Sequence, residues 1–124
     1  MQKIKFWAES DNLKSVWFSK KHYNKIADGI IVEGPEAGGH LGFKADSIED
    51  DINKFESNVK DILETVKKLE IEYSKEIPVI VAGGVFDSND IKRHMELGAN
   101  GVQIGSRFVA TYECDVDIKF KEAY

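Results

Sequence analysis

The chain has 124 residues, enough for one modest domain with a real core. Hydrophobic residues make up 42% and charged residues 31%, and the net charge of −5 shows no basic face, which argues against nucleic acid or an acidic membrane as partner. A single cysteine, Cys114, leaves no internal disulfide and no multi-cysteine metal site; no apolar run reaches membrane-span length and the start has no signal-peptide core, so a cytoplasmic location is expected.

Leu13, Val16, Trp17, Tyr23 and Ile26 recur at roughly helical spacing among lysines and predict a helix over 12–26. The apolar run Gly29-Ile30-Ile31-Val32 predicts a buried strand, which opens into the loop Glu33-Gly34-Pro35-Glu36-Ala37-Gly38-Gly39-His40. Ile52, Phe55, Val59, Ile62, Leu63, Val66 and Leu69 form an amphipathic stripe and predict a helix over 50–69. Glu49, Asp50 and Asp51 at its start and Lys67 and Lys68 near its end suit the helix dipole.

Val79 to Ala82 is wholly apolar, as expected of a strand covered on both faces, and runs into Gly83-Gly84. Asp87 or Ser88 can cap a helix that ends at Leu97, with Gly98 as its left-handed stop. A short strand over 102–104 follows and leads into Gly105-Ser106-Arg107, while the tail 115–124 reads as the opening of another helix.

Helices alternating with buried strands predict parallel βα units, about three strands in all, and no linker divides residues 1–124. Every ligand-type loop follows a strand, where a (β/α)8 barrel places its active face. A doubly wound sheet would also do this, but no G-x-G-x-x-G lies between strand and helix. A full barrel needs eight strands and roughly 250 residues. The reading is therefore an α/β chain forming part of a TIM-type barrel, about its last three βα units.

Glycines after a strand let backbone N–H groups approach a ligand closely, because no Cβ intervenes. Gly83-Gly84 and Gly105-Ser106, each placed before a helix, read as two anion sites from adjacent strands. Taken singly, either could be only a tight turn. His40, at the end of the first loop, can exchange a proton near neutral pH, whereas His22 and His94 read as packed or solvated residues. Arg107 suits either a phosphate or a rim ion pair, and Cys114 reads as inert.

Three segments together resemble the nitronate monooxygenase family, formerly called 2-nitropropane dioxygenases, which also includes flavin-dependent enoyl-ACP reductases. They are the E-G-x-E-A-G-G-H-x-G pattern from Glu33 to Gly42, the I-P-V-I-x-A-G-G pattern from Ile77, and the L-G-A-x-G-V-Q-x-G-x-R-F pattern from Leu97 to Phe108 with A-T-x-E-C after it. The resemblance covers about residues 22–124; residues 1–21 match only loosely.

It implies an FMN-binding (β/α)8 barrel, of which these are the sixth to eighth strands. It places Glu33 and Gly38, with Ala37 and Gly39, at the flavin, and Gly83 and Gly84 at a main-chain phosphate loop. It places Gln103, Ile104, Gly105 and Ser106 at phosphate and flavin, and His40 near the flavin's reactive face. Ser106 stands where threonine is commoner, and either hydroxyl can donate to phosphate. Glu33 and Glu36 can act as paired carboxylates or bond ribityl hydroxyls and loop amides.

The implied reaction is oxidation of alkyl nitronates with O2, with enoyl thioester reduction as the alternative; the substrate is a small molecule in either case. The family's first strand, its middle-strand residues and its C-terminal extension have no counterpart here. A piece of a longer enzyme is therefore expected, either completed by a second polypeptide or catalytically inactive alone. A phosphate-binding barrel with another ligand is the remaining alternative.

Overall fold

Four strands form one wholly parallel sheet in the order of the chain. The computed structural model describes residues 7–9, 21, 25–38 and 45–123. In sequence order these contain β1 (Trp7–Glu9), β2 (Gly29–Glu33), a 3-10 turn (Ala45–Ser47), α1 (Ile48–Tyr73), β3 (Val79–Ala82), α2 (Ser88–Leu97), β4 (Gly101–Gln103) and two short helices, α3 (Ser106–Val109) and α4 (Ile118–Lys121). The fold is α/β with consecutive parallel βα units, the arrangement of part of a (β/α)8 barrel.

The core lies between the sheet and its helices. Ile30 and Val32 of β2 and Val79 and Val81 of β3 are buried, and α1 covers them with Val59, Ile62 and Val66. Each such side chain contributes on the order of 1.5–3 kcal/mol when fully buried. The alternate strand positions, Ile31 and Ile80, are only half-buried, as the period of two requires. Phe55, Leu63 and Leu69 extend the α1 stripe, whereas Ile52 stands in solvent.

Side chains pin the amino-terminal ends of the strands. Lys75 Nζ donates to the carbonyls of Ile26 and Ala27 and pairs with Asp28 at 2.8 Å, just before β2. Asn100 brackets the start of β3: its Oδ1 accepts from Val79 N at 2.9 Å, and its own N–H donates to Val79 O at 2.8 Å. Glu70 accepts from Ile77 N at 2.7 Å. With one end of the strands held, the opposite ends are free to carry loops.

Several expectations change. β1 is a fourth strand beyond the three expected, paired with β2 through Trp7↔Gly29 to Glu9↔Ile31. α1 runs on to Tyr73, where Ser74 adopts a left-handed conformation (φ 47°) and closes it. Lys67 and Lys68 therefore sit over a turn before the helix end, and its last turn holds no basic residue. β2 takes in Glu33, and β4 ends at Gln103, which leaves Ile104 in the following loop.

Asp87 is the cap of α2 and Gly98 (φ 110°) its stop, as expected. The tail does open a helix, α4, capped by Asp117. Most of the helix expected over 12–26 lies outside the described residues, and Lys25 and Ile26 are not helical.

Candidate functional site

The carboxyl ends of β2, β3 and β4 come level with one another. Glu33, Ala82 and Gln103 are successive partners across the sheet, so the three following loops start from one row. The loop after β2 turns at once: Gly34 N donates to Ala82 O at 2.8 Å, and Ala37 N returns to Gly34 O at 3.0 Å. Pro35 and Glu36 occupy the central positions of that turn, where the fixed φ of proline suits the first.

Gly34 must be glycine for a packing reason, because a Cβ there would stand 2.7 Å from Cζ of Phe55. The loop after β3 carries Gly83 (φ 98°) and Gly84 (φ 66°), two successive left-handed residues. A Cβ on Gly83 would stand 2.8 Å from the Ala37 backbone nitrogen, and one on Gly84 would overlap the Glu36 carboxylate. Both glycines thus allow the β2 and β3 loops to lie against each other. The β4 loop closes the third side, with Ser106 Oγ 4.0 Å from where a Cβ of Gly38 would stand.

The three loops frame a cleft of about 620 Å3, within the range of small-molecule and cofactor sites. Glu33, Ala37 and Gly38 line it from β2, Gly83 and Gly84 from β3, and Gln103, Ile104, Gly105 and Ser106 from β4. All of these are residues singled out in the sequence. Gly39 and His40 lie outside the described residues, as does His22.

Glu36 and Arg107 also face the cleft, as do Val85, Phe86 and Val109, which sequence reasoning did not select. A phenylalanine two residues after the diglycine, just before the helix cap Asp87, was the available signal. Among the described residues, no group of three or more His, Cys, Asp or Glu could hold a metal ion, and no helix is long and apolar enough to cross a membrane.

The two expected anion sites are not equivalent. At the start of α2 the Asp87 carboxylate accepts from the N–H groups of Asn89 (2.8 Å) and Asp90 (3.1 Å). The Asp90 carboxylate in turn accepts from Phe86 N (2.9 Å) and Asp87 N (3.2 Å). Those two backbone bonds hold the Asp90 carboxyl below its usual pKa. The N–H groups of Phe86, Asp87, Asn89 and Asp90 are therefore taken up by the helix's own carboxylates.

Among the described residues Arg107 makes no ion pair. Its guanidinium lies over the Phe86 ring, 4.6 Å from the centroid. His94 is a packed residue, 1% exposed, with neither ring nitrogen bonded and its ring edge-on to Phe55 at 6.3 Å. Burial, with Arg93 adding to it, pushes its pKa down. Cys114 is half-buried.

Consecutive parallel βα units whose carboxyl-end loops meet over one glycine-lined cleft are the arrangement of part of a (β/α)8 barrel. The model of the nitronate monooxygenase family matches residues 8–124, and the chain belongs to that family. The match begins upstream of the motifs and takes in Ala8 and Glu9 of β1.

The chain is 34% identical over 97 residues to a nitronate monooxygenase of Paraburkholderia phytofirmans, a stretch covering 77% of the chain and 24% of that relative. Among solved structures it resembles nitroalkane oxidase from Streptomyces ansochromogenes (TM-score 0.66, 29% identity, 94% of this chain and 31% of that one). It also resembles FabK from Thermotoga maritima (TM-score 0.59, 30% identity, 95% and 31%). The chain thus spans about a quarter of the curated relatives it matches and about a third of these solved chains.

Proposed function

We propose that the cleft is one side of an FMN site, and that the chain serves a flavin oxidoreductase that oxidises alkyl nitronates with O2. The observation that carries this reading is the convergence of the three glycine-bearing loops, in register, on one cleft of cofactor size. The residues present fit the group. Two left-handed glycines keep the β3 loop free of side chains, and Ser106 offers a hydroxyl at the opposite wall.

Backbone at Gly38, Gly39, Gly83, Gly84, Ile104 and Gly105 would hold the flavin closely, with Ala37 beside it. Glu33 and Gln103, side by side across Ala82, would bond its ribityl hydroxyls. When bound, FMN supplies the electron transfer; the protein orients the substrate and excludes competing reactions. His40 would accept or position the substrate proton, a task that suits an imidazole. The remaining wall of the barrel would come from strands beyond β1 and β4, on a second polypeptide or elsewhere in a longer chain, in a cytoplasmic enzyme.

Oxygen uptake on addition of a nitronate to the flavin-loaded protein, lost in His40→Ala with FMN retained, is the expected result. The likeness to FabK favours one second reading, reduction of an enoyl thioester. Oxidation of NAD(P)H that depends on an enoyl thioester, without oxygen uptake from nitronate, would establish it instead.

A further inference from the structure

The cleft is electrically lopsided. Its β2 side carries the carboxylates of Glu33 and Glu36, and Glu36 Oε2 lies against Gly84. On the β3 side the donors at the start of α2 already serve Asp87 and Asp90. A dianion beside the glycine pair would therefore meet a carboxylate without the helix-end donors to offset it.

The β4 side has the opposite character. Arg107 lines the cleft there next to Gly105 and Ser106. Its guanidinium is held over Phe86, and among the described residues no carboxylate stands in ion-pair contact with it. Stacking on an aromatic face orients a guanidinium without using its N–H donors, which stay available in a fork that matches phosphate.

We infer that Arg107, carried on the Phe86 ring, recognises the phosphate end of the ligand, and that Glu36 turns that end away from Gly84 toward the β4 loop. The inference rests on the flavin reading and deepens it. Of the two glycine-bearing loops, the one after β4 takes the phosphate, while the β2 side, rich in acceptors, takes the neutral polyhydroxyl chain. Arg107 thereby sets the preference for a phosphorylated flavin over an unphosphorylated one.

The test is a fluorescence titration of the chain with FMN and, separately, with riboflavin. Wild type is expected to prefer FMN, and Arg107→Gln to lose about tenfold in FMN affinity, the worth of one charge-assisted hydrogen bond, with riboflavin unchanged. Arg107→Lys, a point charge without the fork, should restore part of the loss. Glu36→Gln should tighten FMN several-fold and leave riboflavin alone, as removing a repulsive neighbour does.

An unaltered FMN-to-riboflavin ratio in Arg107→Gln, or equal losses of both ligands, would overturn the inference while the flavin reading stands. Failure of wild type to bind either flavin would overturn the flavin reading, and this inference with it. Thermal unfolding of each variant, expected to match wild type for these exposed side chains, separates loss of recognition from loss of fold.

Discussion

The tip of the Phe55 ring fills the space that a Cβ on Gly34 would need, so the core helix α1 directly supports the turn that opens the cleft. Three ring atoms lie within 3.0 Å of that Cβ position. His94 of α2 meets the same ring edge-on, with the two ring planes at 70°, joining both helices behind one loop. The site turn is thus fixed from behind by packing and from the side by the Gly34 to Ala82 hydrogen bond.

Gly34→Ala should destabilise the chain by about 1–3 kcal/mol, the usual cost of overpacking. Chemical denaturation checks this, and Gly34→Ala combined with Phe55→Leu should cost less than the sum of the two single changes. Simple additivity would show that the ring does not support the turn.

Gly83 and Gly84 should differ in their tolerance of substitution. Gly83→Ala sets a Cβ against the Ala37 backbone, which cannot swing away, at a φ that L-residues avoid. A loss of about 1–3 kcal/mol is expected there. Gly84→Ala meets only the flexible end of Glu36, so Glu36→Ala in the same chain should recover part of its smaller loss. Melting curves of the three variants decide this.

His94 makes stability depend on pH. Its pKa is depressed below the ordinary 6.5 by burial and by Arg93, with Glu56 and Asp90 opposing. The folded chain therefore holds the neutral ring. The stability this contributes is fully present above about pH 6.5 and is lost as the pH falls toward the folded-state pKa. His94→Leu should be relatively more stable than wild type at pH 5 than at pH 7.5. A difference that does not vary with pH would show that His94 is not held neutral.

Asp87→Ala removes the acceptor for Asn89 N and Asp90 N and should cost about 1 kcal/mol. The loss should be accompanied by faster amide exchange in the first turn of α2. Unaltered exchange at Asn89 and Asp90 would mean that the cap contributes nothing.

The strands that carry the site were legible because their residues leave little choice. Val79 to Ala82 can only be a buried strand, and the glycines after it have no packing use in a strand. β1 was not legible: Trp7-Ala8-Glu9 has no periodicity, and only pairing with β2 makes it a strand. The end of α1 was misjudged because Ser74, rather than glycine, takes the left-handed position.

In the site, register could not be read from single segments, yet register is what aligns Glu33 with Gln103. The occupation of the α2 donors was hidden for a related reason. Asp87 and Asp90 look like residues suited to a helix start, and only the structure shows the Asp87 carboxylate closing on Asn89 N and Asp90 N while that of Asp90 closes on Phe86 N and Asp87 N.

Amide chemical-shift mapping of the chain during titration with FMN tests the central claim most directly, namely that the loops after β2, β3 and β4 form one flavin site. Gly38, Gly83, Gly84, Gly105 and Ser106 should shift together with a single midpoint, while Asn100 and Lys75 at the opposite strand ends stay still. Shifts confined to one loop, scattered over both ends of the strands, or absent altogether would contradict it.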